Sequence, residues 1–381
     1  MDRGEYTTLA ALLSEIPDPR RKKGIRHQWG LILTLIGAGM LCQQQHMRAI
    51  GQWVREHREL LVEFLAPQGG RLPSEATLRR ALLGLDMEQL QAKLGRFGRV
   101  GHTDKSNELR GQSLDGKQVR GAGAHGHKVH LLGLARHDNS AVLAQAQVST
   151  KTNEIGAAPG LLKGQELRGT LTTMDAMLSQ RQIAQQIRAQ GGHYLMVIKE
   201  NQPETYGAIE ELFREAPWLP SERDSHYWKV SSSGKAHGRY ETRVLEASDS
   251  LNEWLRWPGV KQVMRRTCRR VLLGTGEVEE GIGYAVTSLR HEEASAQTLQ
   301  SYWRGHWSIE NRLHYVRDVT MGEDKCRAHT GQLPQAMAAL RNSILALLRH
   351  HGHTNIARAL RHYDAHPTLA LTLIGASPSQ L

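Results

Sequence analysis

The sequence predicts an α/β protein whose core is preceded by a small all-helical domain and interrupted by a β-rich insertion. The first hundred residues show helical spacing of apolar residues and no strand-type alternation. From residue 111 onward, apolar runs predict the order strand, strand, strand, helix, strand, helix, strand. An antiparallel hairpin joined to parallel strands, with helices on both faces, is the ribonuclease H-like arrangement, which we therefore predict for the core.

The length of 381 residues suits roughly two or three domains of about 150 residues each. We predict a helical N-terminal domain over residues 1–105, a core domain over residues 106–350 with its insertion at about 203–293, and a C-terminal helical tail over residues 351–381. The net charge of +11 favours a polyanionic partner, because each phosphate that Lys or Arg neutralises releases condensed counterions. A basic protein without such a partner is the alternative.

The cysteines and the most apolar segment indicate where the protein resides. Cys42, Cys268 and Cys326 are too few and too scattered for a disulfide framework or a CxxC metal site, so we expect a reducing cytoplasm. The apolar residues 31–41 are too few to span a bilayer and lie too far from the start for a signal peptide. We predict a buried helix there.

Three helical patterns in the N-terminal domain follow a loop that contains Pro17 and Pro19. Ser74 is placed to cap the third pattern, from which Arg79 and Arg80 project. Together the helices predict a small helix-turn-helix-like DNA-binding unit, and a helical bundle with solvated arginines is the alternative. The patterns cover residues 29–42, 47–64 and 74–85.

The core and the insertion are predicted from runs of alternating or continuous apolar residues. In the core, the predicted elements are a strand at 112–115, a hairpin of 128–136 and 141–149, a helix at 153–162, a strand at 169–174, a helix at 179–189 and a strand at 193–198. The insertion has polar loops, such as 231–234, and β-type runs at 239–245, 262–273 and 281–288. Helix is predicted from residue 296 past 318, and again at 333–350 and 355–363.

Three isolated acids stand out in this pattern. Asp115 and Asp175 follow strand-type runs, and Glu310 lies in a helical stretch rich in Trp and basic residues. The first and fourth strands of a ribonuclease H-like sheet are neighbours, so the two aspartates are predicted to meet, with the glutamate brought by a later helix. Carboxylates are ligands that Mg²⁺ prefers, and two such ions cleave phosphodiesters. The alternatives are a turn at Asp115, a helix cap at Asp175 and an ordinary exposed Glu310.

The neighbours of Glu310 favour the metal-site interpretation. Trp303, Trp307, Glu310, His314 and Arg317 recur at spacings of 4, 3, 4 and 3 and would share one helical face. Such a face suits a metal ligand flanked by groups that bind phosphate and stack on bases. Core packing of the two Trp side chains is the alternative. A second, apolar stripe is predicted to face the sheet and comprises Leu299, Tyr302, Ile309, Leu313 and Val316.

Further basic and aromatic residues are candidate DNA contacts. The candidates for phosphates near the acids are Lys117, Lys199, Arg312 and Arg317. A basic run in the insertion predicts an edge that follows DNA, with a merely solvated strand as the alternative, and comprises Arg256, Lys261, Arg265, Arg266, Arg269 and Arg270. Trp228, Trp254 or Trp257 would stack on an extruded base or pack in the core.

A set of short motifs, in one order along the chain, carries a family resemblance. The motifs are SLDGK at 113–117, KTNEI at 151–155, TMDAM at 173–177, KENQ at 199–202, HGRYETR at 237–243 with Arg239, HWSIEN at 306–311, LH at 313–314, Asp318 and GED at 322–324. The set resembles the ISAs family of bacterial insertion-sequence transposases, which includes the H-repeat-associated proteins. The resemblance covers nearly the whole chain, beginning at IPDPR at residues 16–20.

The resemblance implies a DDE transposase with a ribonuclease H-like catalytic core. Asp115, Asp175 and Glu310 would be the catalytic residues and would hold two divalent ions, Mg²⁺ or Mn²⁺. The partner would be double-stranded DNA, both transposon ends and target, with no membrane, and the pairing of two ends suggests a homodimer on DNA. A nuclease of the same fold without strand transfer, and a DNA-binding protein with an inactive core, are the alternatives.

Related transposases carry a Tyr, Arg, Glu, Lys signature around the glutamate. The corresponding positions here hold Trp303, His306, Glu310 and Arg317. Arg317 can replace Lys as a phosphate contact, whereas a His at position 306 makes the charge there depend on pH.

Overall fold

The computed structural model describes residues 8–23, 25–99, 109–122, 129–149, 152–214, 226–236 and 238–377. The predicted domain boundary near residue 105, and the motif residues Lys151 and His237, lie outside these ranges. The chain forms two compact units. Unit 1 comprises the described residues of 1–104, 116–151 and 309–381, and unit 2 those of 105–115 and 152–308. The three-domain division proposed from the sequence stays a prediction.

Unit 1 is built around a helix that is buried on every side. All residues of α2 are buried, as the apolar segment predicted, and α2 packs against α1, α3, α5, α11, α12 and α13. Ser74 caps α5 as predicted, accepting a hydrogen bond from the Thr77 N–H. The helices of this unit are α1 Leu9–Ser14, α2 Trp29–Leu41, α3 Met47–Glu56, α4 Arg58–Leu65, α5 Glu75–Leu83, α6 Met87–Arg99, α11 Leu333–His350, α12 Ile356–Ala365 and α13 Pro367–Ile374.

The remaining elements of unit 1 are strands and short helical segments. The predicted hairpin is confirmed as the antiparallel strands β2 Val129–Arg136 and β3 Val142–Gln147. Two π-helical segments, Ile309–His314 and Val316–Thr320, and a 3₁₀ turn, Glu323–Lys325, precede α11. Strand β1, Arg110–Val119, contributes its last residues to this unit.

Unit 2 contains a mixed sheet in the order β1-β4-β5-β9-β8-β7-β6. The pairs β1–β4 and β4–β5 are parallel, and the pairs from β5 to β6 are antiparallel. The order of strands and helices predicted for the core is confirmed. The elements are β4 Thr170–Met174, β5 His193–Ile198, β6 Tyr227–Ala236, β7 Arg239–Ser248, β8 Gln262–Leu272, β9 Val278–Thr287, α7 Glu154–Lys163, α8 Arg181–Ala189, α9 Pro203–Arg214 and α10 Ala296–His306.

The structure corrects several predicted elements. Residues 231–234, expected as a loop, lie inside β6, and α9 precedes the β-rich strands of the insertion. The helix predicted from residue 296 past 318 ends as an α-helix at His306 and continues as π-helical segments. The helix expected over residues 47–64 is two helices that meet at His57. No helix in the described ranges is long and apolar enough to cross a membrane.

Candidate active site

The two aspartates lie at adjacent positions of the sheet in unit 2. Ser113 pairs with Thr173, and Leu114 pairs with Met174, in the parallel β1–β4 ladder. Asp115 is the next residue of β1, Asp175 directly follows the end of β4, and both are half-buried. The predicted neighbourhood of the first and fourth strands is thereby confirmed. Two carboxylates at the end of one parallel ladder can offer hard oxygen ligands to the same cation.

The local contacts of the aspartates decide between the structural alternatives. Strand β1 continues through Asp115 to Val119, so the Asp-Gly pair is not a turn. The Asp175 Oδ1 accepts a hydrogen bond from the Leu178 N–H at 2.9 Å. Helix α8 begins only at Arg181, so Asp175 orders the turn before this helix and does not cap the helix itself. That contact uses one carboxylate oxygen of Asp175.

The last residue of α10 contacts both strands directly before the aspartates. The Ser113 hydroxyl donates to the His306 carbonyl at 3.3 Å, and the Thr173 Oγ1 lies 3.1 Å from the His306 Nδ1. Burial lowers the pKa of His306 to about 4, although the nearby Asp175 carboxylate favours the protonated ring. The imidazole is therefore neutral near pH 7. The sequence suggested a pH-dependent charge at this position, and the low pKa of His306 means that the ring becomes charged only in acid.

Substitution of His306 by Gln is expected to weaken the dependence of stability on pH in mild acid. Because the folded pKa of about 4 is below the ordinary value of 6.5, the unfolded chain binds more protons between these values. The stability contributed by the neutral ring is complete above pH 6.5 and is lost as the pH falls toward 4. From about pH 7.5 to about pH 5 the loss is about 2 kcal/mol.

Urea unfolding at these two pH values measures the difference. His306→Gln should lose about 2 kcal/mol less than the wild type on acidification. The exposed His362 provides the matched control, and His362→Gln should keep the wild-type pH dependence. Equal pH dependence of His306→Gln and wild type would show that the buried ring does not carry this effect.

The predicted face around Glu310 is not regular, because the α-helical period ends at His306. Trp303 is 2% exposed and packs in the core of unit 2, as the packing alternative proposed, whereas Trp307 is 47% exposed. Glu310 is exposed and His314 is half-buried on the first π-helical segment. Arg317 is 2% exposed in unit 1. A π-helix has a wider turn than an α-helix, so spacings of 3 and 4 no longer keep side chains on one face.

Buried ion pairs surround one carboxylate in unit 1. Glu323 is 0% exposed and accepts from the Arg317 Nη2 at 2.7 Å and from the Arg341 Nη1 at 3.2 Å. The Lys117 Nζ, 3.8 Å from this carboxylate, also binds Asp318. Burial by itself raises the pKa of Glu323, but the three cations outweigh it and hold the pKa below the ordinary value. Lys117 and Arg317, predicted as phosphate contacts, thus have protein carboxylates as partners.

The basic run of the insertion lies opposite acids of the neighbouring strands. The pairs are Arg265 with Glu246 at 2.7 Å, Arg269 with Glu280 at 3.1 Å and Arg270 with Glu241 at 3.1 Å. Arg239 lies 3.9 Å from Glu241, and the Arg266 guanidinium lies over the Trp303 ring at 4.5 Å. The basic run itself contains no acid, and the neighbouring strands β7 and β9 supply the carboxylates that compensate part of its charge.

The other candidate DNA contacts are distributed over both units. Lys199 is exposed directly after β5, at the same end of the parallel strands as Asp175. Arg79 and Arg80 are exposed on α5, where Arg79 donates to Thr330 at 3.1 Å. Arg312 is exposed on the first π-helical segment. The three candidate stacking residues differ in exposure: Trp254 is 81% exposed, Trp257 is 3% exposed, and Trp228 stacks on His291.

Several residues that organise the site were not singled out from the sequence. Ser113, Thr173 and Arg341 received no role, although the first two belong to quoted motifs. Within the described ranges no three His, Cys, Asp or Glu side chains form a ready metal-binding group. The two aspartates belong to unit 2, and Glu310 belongs to unit 1.

The comparisons with known proteins agree with the resemblance found in the sequence. The family described as "Transposase DDE domain" matches residues 101–348, and the family described as "DDE_Tnp_1-associated" matches residues 10–98. "Putative transposase YncI" of Escherichia coli O157:H7 is 28% identical over 90% of this chain and 87% of its own length. "H repeat-associated putative transposase YhhI" of Escherichia coli K12 is 27% identical over 90% of this chain and 91% of its own length. "Uncharacterized protein in dhlA 3'region" of Xanthobacter autotrophicus is 32% identical over 68% of this chain and 88% of its own length.

Proposed function

This chain belongs to the transposase DDE domain family, and on that premise we propose that it cleaves double-stranded DNA at transposon ends and joins those ends to target DNA. The observation that carries the proposal is the β1–β4 register, in which Asp115 and Asp175 directly follow the Leu114–Met174 pair. Glu310 is the third catalytic residue of the proposal. It is the fourth residue after His306, so chain length allows it to approach the strand ends beside His306.

The carboxylates fit divalent metal ions. Asp115 and Asp175 provide oxygen donors only, which suits Mg²⁺ or Mn²⁺ and not a thiolate-seeking metal. In our proposal Asp115, Asp175 and Glu310 hold two such ions in the reacting complex. When bound, such ions would activate an attacking oxygen and stabilise the leaving oxygen of the phosphodiester. No Ser, Tyr or Cys nucleophile is needed.

The protein's own residues would position DNA and keep the site ordered. Lys199 follows the same strand ends as Asp175 and would attract a phosphate. The neutral, buried His306 would hold the end of α10 against Ser113 and Thr173, which fixes the strands that carry both aspartates. The net charge of +11 supports long-range attraction of DNA. We also propose that the protein acts in the cytoplasm. It would act there as a homodimer, because two transposon ends must be paired.

An assay with DNA from the flanks of the reading frame tests this function. Purified protein should nick or cut this DNA in the presence of Mg²⁺ or Mn²⁺, and EDTA should abolish the reaction. Pre-cut ends mixed with a supercoiled plasmid should yield integration products that depend on metal. Cleavage of ends without any integration would favour a nuclease that lacks strand transfer. DNA binding without either reaction would favour an inactive DNA-binding protein.

A further inference from the structure

A polar pocket of unit 1 lies beside the segment that carries Glu310. Its volume is about 540 Å³, within the range of about 300–1,000 Å³ that is usual for ligand sites. The pocket is bounded by the β2–β3 turn, the first π-helical segment, the end of α11 and the start of α12. Two arginines line it, Arg312 and Arg349, and Arg312 lies two residues beyond Glu310. Asn311, His353 and Asn355 add further polar groups to the lining, and Asp138, whose carboxylate pairs with Arg136, also lines it.

The two guanidinium groups are fixed by backbone carbonyls of the β2–β3 turn. The Arg312 Nη1 donates to the Asp138 carbonyl at 2.9 Å, and the Arg349 Nη1 donates to the Asn139 carbonyl at 2.9 Å. The Arg349 Nη2 also donates to the Arg312 carbonyl. These contacts hold the arginines in one geometry without neutralising them, because a carbonyl carries no net charge.

The charge of this pair is not compensated within the described parts of the chain. No described carboxylate lies within ion-pair distance of Arg312 or Arg349, and the Asp138 carboxylate binds Arg136 instead. Burial lowers the pKa of Arg349 to about 10, and the charge of Arg312 lowers it further in the same direction. An anion bound at these guanidinium groups would favour their charged forms. Fixed guanidinium groups bind phosphate oxygens with two parallel hydrogen bonds.

We propose that this pocket, centred on Arg312 and Arg349, binds a backbone phosphodiester of DNA next to Glu310. The inference rests on the proposed function and adds to it a specific anchoring site. A phosphodiester carries one negative charge and oxygen acceptors for the guanidinium donors, and the pocket volume leaves room for the neighbouring sugar. The carbonyl contacts organise the pocket before DNA arrives, so little side-chain entropy is lost on binding.

The salt dependence of DNA binding tests the proposal. Anisotropy with a labelled duplex from the flanks of the reading frame gives the dissociation constant of the full chain at a series of KCl concentrations. The logarithm of the association constant falls linearly with the logarithm of the salt concentration. Removal of one phosphate contact makes this slope less steep by about 1. Arg312→Gln should show this smaller slope and weaker binding at low salt. Asp138 is exposed, so water can replace the lost donor to its carbonyl, and the fold is expected to persist.

Two matched variants separate a specific contact from a general effect of charge. Arg361→Gln removes the same charge from an exposed position on α12 and should keep the wild-type slope. Arg312→Lys keeps the charge without the forked guanidinium and should keep the slope while weakening binding. A wild-type slope for Arg312→Gln, or equal losses for Arg312→Gln and Arg361→Gln, would overturn the proposal.

Two further outcomes identify the ligand and separate this inference from the proposed function. Inorganic phosphate should compete only weakly, and tight binding of phosphate with no effect of Arg312→Gln on the duplex would exclude a DNA site. Cleavage is measured in the same wild-type samples. A reduced slope for Arg312→Gln in a protein that never cleaves DNA supports the pocket and rejects the catalytic proposal. If the wild type cleaves DNA but Arg312→Gln binds DNA with the wild-type salt slope, only the proposed pocket is rejected.

Discussion

Asp175→Asn is expected to abolish DNA cleavage while the fold and the affinity for DNA persist. Asparagine keeps the Oδ1 that accepts the Leu178 N–H, so the turn before α8 should remain ordered. The substitution removes the negative charge that a divalent cation requires of its ligand. We expect a loss of at least about 10³-fold in the cleavage rate, equivalent to about 4 kcal/mol of transition-state stabilisation.

Single-turnover cleavage of labelled DNA measures this loss, with anisotropy and thermal unfolding on the same preparation. Glu292→Gln is the matched control, because Glu292 is an exposed carboxylate of the same unit and no role is proposed for it. This control should cleave DNA at the wild-type rate, and its free energy of unfolding should lie within about 0.5 kcal/mol of the wild-type value. Wild-type cleavage by Asp175→Asn would remove the central residue of the proposed mechanism.

The order of the core elements was predictable from the sequence, because each has a strong local signal. Strand β4 is a short run rich in β-branched threonine, β5 is a short apolar run, and α8 shows Ile183 and Ile187 at helical spacing, both buried. The adjacency of the two aspartates was predicted from the ribonuclease H-like arrangement that this order indicates. The sequence therefore predicted that Asp115 and Asp175, which are 60 residues apart in the chain, lie at the end of the same pair of strands.

The elements that the sequence missed are stabilised by contacts that leave no local pattern. Strand β6 includes three serines and a glycine at 231–234 and is largely exposed, so it lacks the alternation that reveals a strand. Its pairing with β7 supplies the stabilising hydrogen bonds. The π-helical segments likewise could not be inferred from spacing, because the side chains on both sides of the transition are of ordinary helical types.

Glu323→Gln is expected to destabilise the protein by about 3–5 kcal/mol, because it leaves buried cations without their counter-charge. Glutamine has nearly the same shape, but its amide nitrogen is a donor that would face the donors of Arg317 or Arg341. The pKa of Glu323 is held below its ordinary value of 4.5, so its contribution is complete above that pH and is lost as the pH falls below it. The difference in free energy of unfolding between the variant and the wild type should therefore be largest near neutral pH.

Urea unfolding at neutral pH, with Glu63→Gln as an exposed control on α4, tests the expectation. The control should lie within about 0.5 kcal/mol of the wild type. If Glu323→Gln unfolds at the same urea concentration as the wild type, water or a rearrangement must stabilise the three cations in place of the carboxylate. The network also includes Lys117, two residues beyond Asp115, and Asp318, eight residues beyond Glu310. A variant that remains folded should therefore cleave DNA more slowly than Glu63→Gln, since disorder in this network would reach both segments that carry the proposed catalytic carboxylates.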